Sequence, residues 1–282
     1  MEILYYENSL RNKEERENMS FHIESVNQKG ELVVCCNIIS QDDFERINEV
    51  CHTIFEALTE ADYCCMVLDN IADFVTDCQC NGPGIEKNFI KCNRYFLNWL
   101  NAFYAWIEYH ERYFQPEFKT IKGYFFDQYF EYRLAYHLRK YITHCALPIE
   151  VITFDVLKEQ VLFQIFPSRL LKENSHRLTR KDLEAIEKEE RQIDAVQFTL
   201  DFVEMFKVMQ LSLWDLRKTQ LEKYLEYMKS FVPQTVPECY TCRLISDDGS
   251  IDIAIGKTME NFMKKQNYIS KYFNDYNQNV KR

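Results

Sequence analysis

Glycine and proline are scarce in this chain, which has six of each among 282 residues. Both residues interrupt regular structure, so their scarcity predicts long uninterrupted elements, mainly helices. Long apolar runs are also missing, because no stretch approaches the roughly 18 uncharged apolar residues of a membrane span. The first seven residues lead into a charged run at 11–16, which is unlike a secretory signal. We therefore expect a cytoplasmic, helix-rich protein that does not span a membrane.

Excess positive charge is absent as well. The chain carries 34 Lys and Arg against 44 Asp and Glu, for a formal net charge of −10. A surface that is acidic as a whole does not attract nucleic acid, so any RNA contact must be local, or the cationic surface must come from another molecule. The sequence contains no P-loop, dinucleotide-binding glycine fingerprint, Gly-x-Ser-x-Gly or His-Glu-x-x-His motif and no internal repeat.

The 11 cysteines are scattered inside apolar runs, where free thiols behave as small hydrophobic side chains. Cys239 and Cys242 form one CxxC pair, but Cys78 and Cys80 are too close together to be its usual partner in a zinc site. We therefore predict reduced thiols and no cofactor or metal, and the question of a metal at Cys239 and Cys242 stays open.

The order of elements predicts a mainly α fold with minor β (α+β), an antiparallel helical bundle with small β-hairpins. Alternating apolar residues predict hairpins at residues 20–40, 149–166 and 239–255, and helical spacing fills most of the rest. We divide the chain into an N-terminal hairpin segment (1–40), a helical bundle (41–148), and a hairpin with two further helices (149–282) packed on the same domain. The hairpins are expected either to meet in one small sheet or to pair with another chain.

A helix rich in aromatic residues is predicted at 85–114, and bulky side chains on nearly all its faces place it at the centre of the core or at a dimer interface. Its polar residues Asn93, Arg94, Asn98 and Asn101 are each expected to be exposed to solvent. The helix that follows should pack antiparallel to it.

The helix that follows is rich in basic, aromatic and imidazole side chains. It is expected to end before Pro148, because proline disfavours helical geometry in the residue before it. Arg139 and His144 stand five residues apart, which is about 140° around an ideal helix. A permanently charged arginine can hold phosphoryl oxygens, and a histidine can move the proton of a 2′-hydroxyl or of a leaving oxygen. Alternatively, the two are a cation pair at the negative end of the helix dipole. His137 is expected to be a packed or surface residue.

Residues 138–148 resemble the Arg-x4–6-His signature of HEPN domains, the helical ribonuclease-like modules of bacterial toxins and phage-defence proteins. The resemblance implies a metal-independent endoribonuclease in which Arg139 and His144 are catalytic and two copies form a composite site. Tyr136, Lys140 and Tyr141 would then position the RNA by stacking or charge. Implied partners are RNA, for instance tRNA, a second copy of the chain, and an antitoxin or a defence partner.

A non-catalytic interaction or sensor module is the first alternative, and a nucleotide-transfer or ligand-binding role of the same basic helix is the second. Lys140 stands where the family usually has Asn, Asp or His. This difference and the negative net charge of the chain both favour the non-catalytic module.

Overall fold

The computed structural model describes residues 21–26, 32–79, 89–114, 116–144, 147–155, 160–166, 180, 184, 193–231, 241–246 and 252–279. These residues are mostly helical, with small antiparallel sheets, as the sequence predicts. The long helices are α1 (Gln41–Gln79), α2 (Phe89–Tyr113), α3 (Glu117–Gln128), α4 (Phe130–His144), α5 (Ala195–Phe231) and α6 (Ile255–Asn279).

Ser40 followed by the acidic Asp42 and Asp43 is a sequence pattern that predicts a helix start, and helix α1 begins there, at Gln41. The Ser40 hydroxyl oxygen accepts a hydrogen bond from the Asp43 backbone N–H at 3.1 Å, and the hydroxyl donates to the Asp43 carboxylate at 2.7 Å. This pairing satisfies one of the backbone donors that every helix start leaves without a partner. The helix is 39 residues long. Apolar residues with helical spacing at 44–58 and 61–78 predict two helical runs, and in the structure these form one element.

The three- and four-residue steps of aromatic and apolar side chains from Phe125 to Leu138 are typical of one helix, but the structure has two helices here, α3 and α4. Tyr129 between them is extended, with φ −111° and ψ 120°, and its N–H donates to the Phe125 carbonyl. Arg133 donates from Nη1 to the carbonyl oxygens of Phe126 at 2.6 Å and Asp127 at 3.2 Å. A charged side chain on α4 thus caps the last turn of α3 and stabilises the break.

The described strands form two antiparallel sheets. The first has the order β2 (Leu32–Ile39), β1 (Phe21–Val26), β6 (Thr241–Ser246) and β7 (Asp252–Ala254). The second has β3 (Val151–Asp155), β4 (Gln160–Ile165) and the two-residue β5 (Ile193–Asp194). All three predicted hairpins are confirmed.

The first and third hairpins join at β1 and β6, which pair from Phe21↔Ser246 to Val26↔Thr241. The middle hairpin pairs Val151↔Gln164 through Asp155↔Gln160 and keeps its own sheet. The expectation that the hairpins meet in one sheet is thus corrected: the first and third hairpins share a sheet, and the middle hairpin pairs with β5 instead.

The chain divides into two compact units. The first takes its described residues from Met1–Leu58 and Lys218–Lys264, and the second from Thr59–Arg217 and Lys265–Arg282. The first unit contains the four-stranded sheet and buries apolar side chains such as Phe44, Ile47, Leu244 and Phe262. Nothing observed tests the division predicted at residues 40 and 148, which stays a prediction.

The second unit has an aromatic core centred on α2, as predicted for this helix. Phe103 lies with its ring centroid 4.8 Å from that of Phe202 on α5 and 5.6 Å from that of Tyr132 on α4. Trp99 contacts Phe202 at 4.8 Å, and Trp106 contacts Phe206 at 5.1 Å. Edge-to-face and tilted ring pairs of this kind add to the stabilisation that burial provides.

Asn93 corrects one prediction, because it is fully buried rather than exposed. Its amide group donates to the Ile149 carbonyl at 3.0 Å, and its Oδ1 accepts from the Ile149 N–H at 3.0 Å. This pair holds the segment after α4 against the start of α2, so the two helices run antiparallel. Arg94, Asn98 and Asn101 are exposed, as expected.

Several cysteines behave as small buried side chains, as predicted. Cys51, Cys64, Cys78 and Cys92 are buried free thiols, and burial raises the pKa of Cys51 to about 12. Cys80 and Cys239, which belong to the close pair and to the CxxC motif, lie outside the described residues.

Candidate functional site

Helix α4 carries the residues that the sequence selects. Tyr132, Leu138 and Tyr141 are buried against the core, while Tyr136, Arg139 and Lys140 are half-buried. His144 is the last residue of the helix, and its side chain lies outside the described part of the structure. The helix therefore presents Tyr136, Arg139 and Lys140 along its partly exposed side.

Arg139 rests on a tyrosine from the neighbouring helix. Its guanidinium carbon lies 4.2 Å from the ring centroid of Tyr104 on α2. A cation held over an aromatic face is stabilised by the ring quadrupole, by about 0.5–2 kcal/mol depending on desolvation. This contact fixes the position of the arginine side chain.

Two further cations lie close to the ring of Tyr136. Lys140 Nζ lies 4.2 Å from its ring centroid, and Lys122 Nζ on α3 lies 5.6 Å from it. The rings of Tyr104 and Tyr136 are 6.0 Å apart and inclined by 32°. We call these five residues, Tyr104, Lys122, Tyr136, Arg139 and Lys140, the cation–tyrosine cluster.

The surroundings of Tyr104 favour its neutral phenol. Burial raises the pKa of Tyr104, and nearby Tyr136 and Glu108 raise it further, although Arg139 opposes the shift. A neutral phenol keeps the electron-rich face that attracts the guanidinium. Lys122 also forms an ion pair with Glu111 on α2.

The structure brings together three of the five predicted site residues, Tyr136, Arg139 and Lys140. It places Tyr141 differently, because this side chain is only 1% exposed and its ring has no face open to RNA. His137 is buried, with its ring 5.8 Å from that of Tyr136, which confirms its packed position.

Sequence reasoning missed Tyr104 and Lys122. Both come from helices other than α4, and neither belongs to a motif. The available signal was the density of aromatic residues in α2, but that pattern does not identify which ring meets α4.

A second polar cluster lies in the core of the same unit. It contains Glu60 on α1, His110 on α2, and Gln210 and Arg217 on α5, and we call it the Glu60 network. Glu60 is 4% exposed and forms an ion pair with Arg217 Nη1. Its Oε1 accepts from Gln210 Nε2 at 3.1 Å and lies 3.5 Å from His110 Nε2.

The partners of Glu60 decide its charge. Burial alone would raise its pKa, but His110, Arg217 and Gln210 together lower it below the ordinary value. His110 also places Nδ1 2.7 Å from the Trp106 carbonyl oxygen, so both of its ring nitrogens face oxygen atoms. The Glu60 network therefore buries an ionised carboxylate with compensating donors, an arrangement suited to holding α1, α2 and α5 together.

Within the described ranges, no group of three or more His, Cys, Asp or Glu residues is arranged to hold a metal ion. Within the same ranges, none of the helices combines the length and the apolar character that crossing a bilayer requires.

No family model matches this chain, and no curated protein or solved structure shows significant similarity to it.

Proposed function

We propose that this chain is a metal-independent endoribonuclease of the HEPN type, in which Arg139 and His144 are the catalytic pair. The observation that carries the proposal is the cation–tyrosine cluster, which surrounds Arg139 on the helix that ends at His144. Cations interleaved with aromatic rings are the combination that binds single-stranded nucleic acid.

The chemistry follows from the two side chains. His144 accepts the proton of a ribose 2′-hydroxyl, whose oxygen attacks the adjacent phosphorus as the bond to the 5′-oxygen breaks. Arg139 stabilises the charge that develops on the phosphoryl oxygens. The 5′-oxygen leaves with a proton returned by imidazolium, which gives a 2′,3′-cyclic phosphate and a 5′-hydroxyl. In a homodimer, the two copies of α4 would supply a composite site.

Charge considerations support a local RNA surface. The chain has a net charge of −10, so it does not attract polyanions over its whole surface. The cluster instead concentrates Lys122, Arg139 and Lys140 around two tyrosines. An RNA strand would meet positive charge at the helix that carries the catalytic pair and at the neighbouring Lys122.

A non-catalytic interaction module is the second candidate. It is favoured by the same geometry, because Arg139 and Lys140 already stack on tyrosine rings and those contacts stabilise the fold without a substrate. Lys140 in place of the family's usual polar residue points the same way.

Incubation of the purified protein with total RNA and with tRNA, in the presence of EDTA, separates the two candidates. We expect cuts with cyclic-phosphate ends that disappear in both Arg139→Ala and His144→Ala. Arg94→Ala is the control for arginine, since Arg94 also lies over a tyrosine, at 5.2 Å from the Tyr95 ring. His52→Ala, at an exposed histidine paired with Glu56, is the control for histidine.

Both control variants should cut like the wild-type protein. Cleavage that survives in either catalytic variant refutes the assigned pair, and RNA left intact in every lane favours the interaction module.

A further inference from the structure

Lys122 lies beside the proposed RNA surface but outside the sequence motif. It is on α3, and its Nζ points to the same Tyr136 ring as Lys140 on α4. The distances from the two Nζ atoms to that ring centroid, 5.6 Å and 4.2 Å, place the ammonium groups less than 10 Å apart. One RNA strand can therefore contact both.

The partner of Lys122 is a carboxylate at the surface. Glu111 on α2 forms an ion pair with Lys122, and the side chains are 42% and 25% exposed. Partly exposed pairs contribute little to stability, because water and salt screen them. A phosphate offers a lysine a charge-assisted hydrogen bond of the same kind, so it can replace this carboxylate.

We propose that Lys122 is a third phosphate-binding residue of the RNA site and that Glu111 competes with RNA for it. This inference rests on the proposed function, since it extends the same surface. Glu111 holds the lysine in place when no RNA is bound. When a strand binds, Lys122 exchanges the carboxylate for a phosphate, and the released Glu111 charge opposes tight binding.

The test is fluorescence anisotropy with a labelled single-stranded 2′-O-methyl RNA, which lacks the 2′-hydroxyl that cleavage needs. A phosphate contact on a single strand contributes about 0.7 to the slope of log affinity against log salt. Lys122→Ala should make the slope less steep by about 0.7, which corresponds to about fivefold weaker binding at 0.1 M salt. Glu111→Gln should bind more tightly than wild type.

Controls separate a binding role from a structural one. Lys119→Ala removes an exposed lysine one turn earlier on α3 and should leave affinity unchanged. Lys122→Arg keeps the charge and should retain most of the affinity, with the helical circular dichroism of all variants equal to that of wild type.

The outcomes distinguish this inference from the proposed function. If Arg139→Ala weakens binding but Lys122→Ala does not, the role of Lys122 is refuted and the proposed function stands. Equal losses of affinity in Lys119→Ala and Lys122→Ala also refute the role of Lys122, because the loss then follows from removing any positive charge on α3. If the wild-type protein does not bind the probe, this inference fails, whereas the proposed function is decided by the cleavage assay.

Discussion

Replacing Glu60 with Gln is a direct test of the Glu60 network, because the change keeps the shape of the side chain and removes its charge. Arg217 and His110 would then face a neutral amide in the core. Removing one partner of a buried ion pair costs about 3–5 kcal/mol. The Arg217 side chain is 18% exposed and regains some hydration, so we expect about 3 kcal/mol, the low end of that range.

The measurement is urea unfolding followed by tryptophan fluorescence. All three tryptophans, Trp99, Trp106 and Trp214, belong to the unit that contains the network, so the signal reports on that unit. Asp62→Asn is the matched control. Asp62 is on the same helix and pairs with Lys265, but its side chain is 60% exposed, and losing such a pair should cost less than about 1 kcal/mol.

The effect should also depend on pH. The pKa of Glu60 is lowered from its ordinary value of 4.5 in the folded state, so its stabilisation is complete above pH 4.5 and is lost as pH falls toward the folded value. The difference between wild type and Glu60→Gln should therefore shrink in acid. Equal losses in Glu60→Gln and Asp62→Asn, or a difference that does not change in acid, would refute the reasoning.

Two further variants test contacts that position the elements of the second unit, and both use the same unfolding assay. Asn93→Ala should cost about 1–3 kcal/mol, because it leaves the N–H and C=O of Ile149 without their buried partner, whereas Asn98→Ala on the exposed side of α2 should cost almost nothing. Asp194 accepts from the N–H groups of Phe163 and Gln197, so Asp194→Ala should cost about 1 kcal/mol. Burial raises the pKa of Asp194 above 3.8, so stability falls as pH rises through its folded pKa. Asp194→Asn keeps one acceptor oxygen but presents a donor amide to the other backbone N–H. It should therefore cost less than Asp194→Ala at neutral pH, and a loss equal to that of Asp194→Ala would contradict this.

Local patterns predicted the helices and hairpins because their signals are contained in neighbouring residues. Helical spacing, the Ser40 start and the alternating runs each depend on a few consecutive positions. The pairing of β1 with β6 joins opposite ends of the chain, and no local pattern specifies it. The break at Tyr129 also escaped prediction, since Arg133 stabilises it through backbone carbonyls that any sequence supplies.

For the candidate site, too, residues of one local segment were predicted and residues from other helices were missed. Arg139 and Lys140 were predicted because they belong to one short motif, whereas Tyr104 and Lys122 reach the cluster from other helices. The Glu60 network was missed for a related reason: its pairs join residues 150 and 157 positions apart in the chain. A single buried glutamate looks like an ordinary surface residue until its partners are known.

Helix α2 belongs to both clusters, and its geometry separates them. At about 100° per residue, Tyr104 and Glu111 lie about 20° apart around the helix axis, while His110 lies about 120° from Tyr104. One face of α2 thus contacts Arg139 and Lys122, and another contacts Glu60. Residues that share no partners usually act independently. Glu60→Gln should therefore lower stability and leave the RNA affinity of the folded protein unchanged. Arg139→Ala should weaken RNA binding without the pH-dependent loss of stability that is expected for Glu60→Gln.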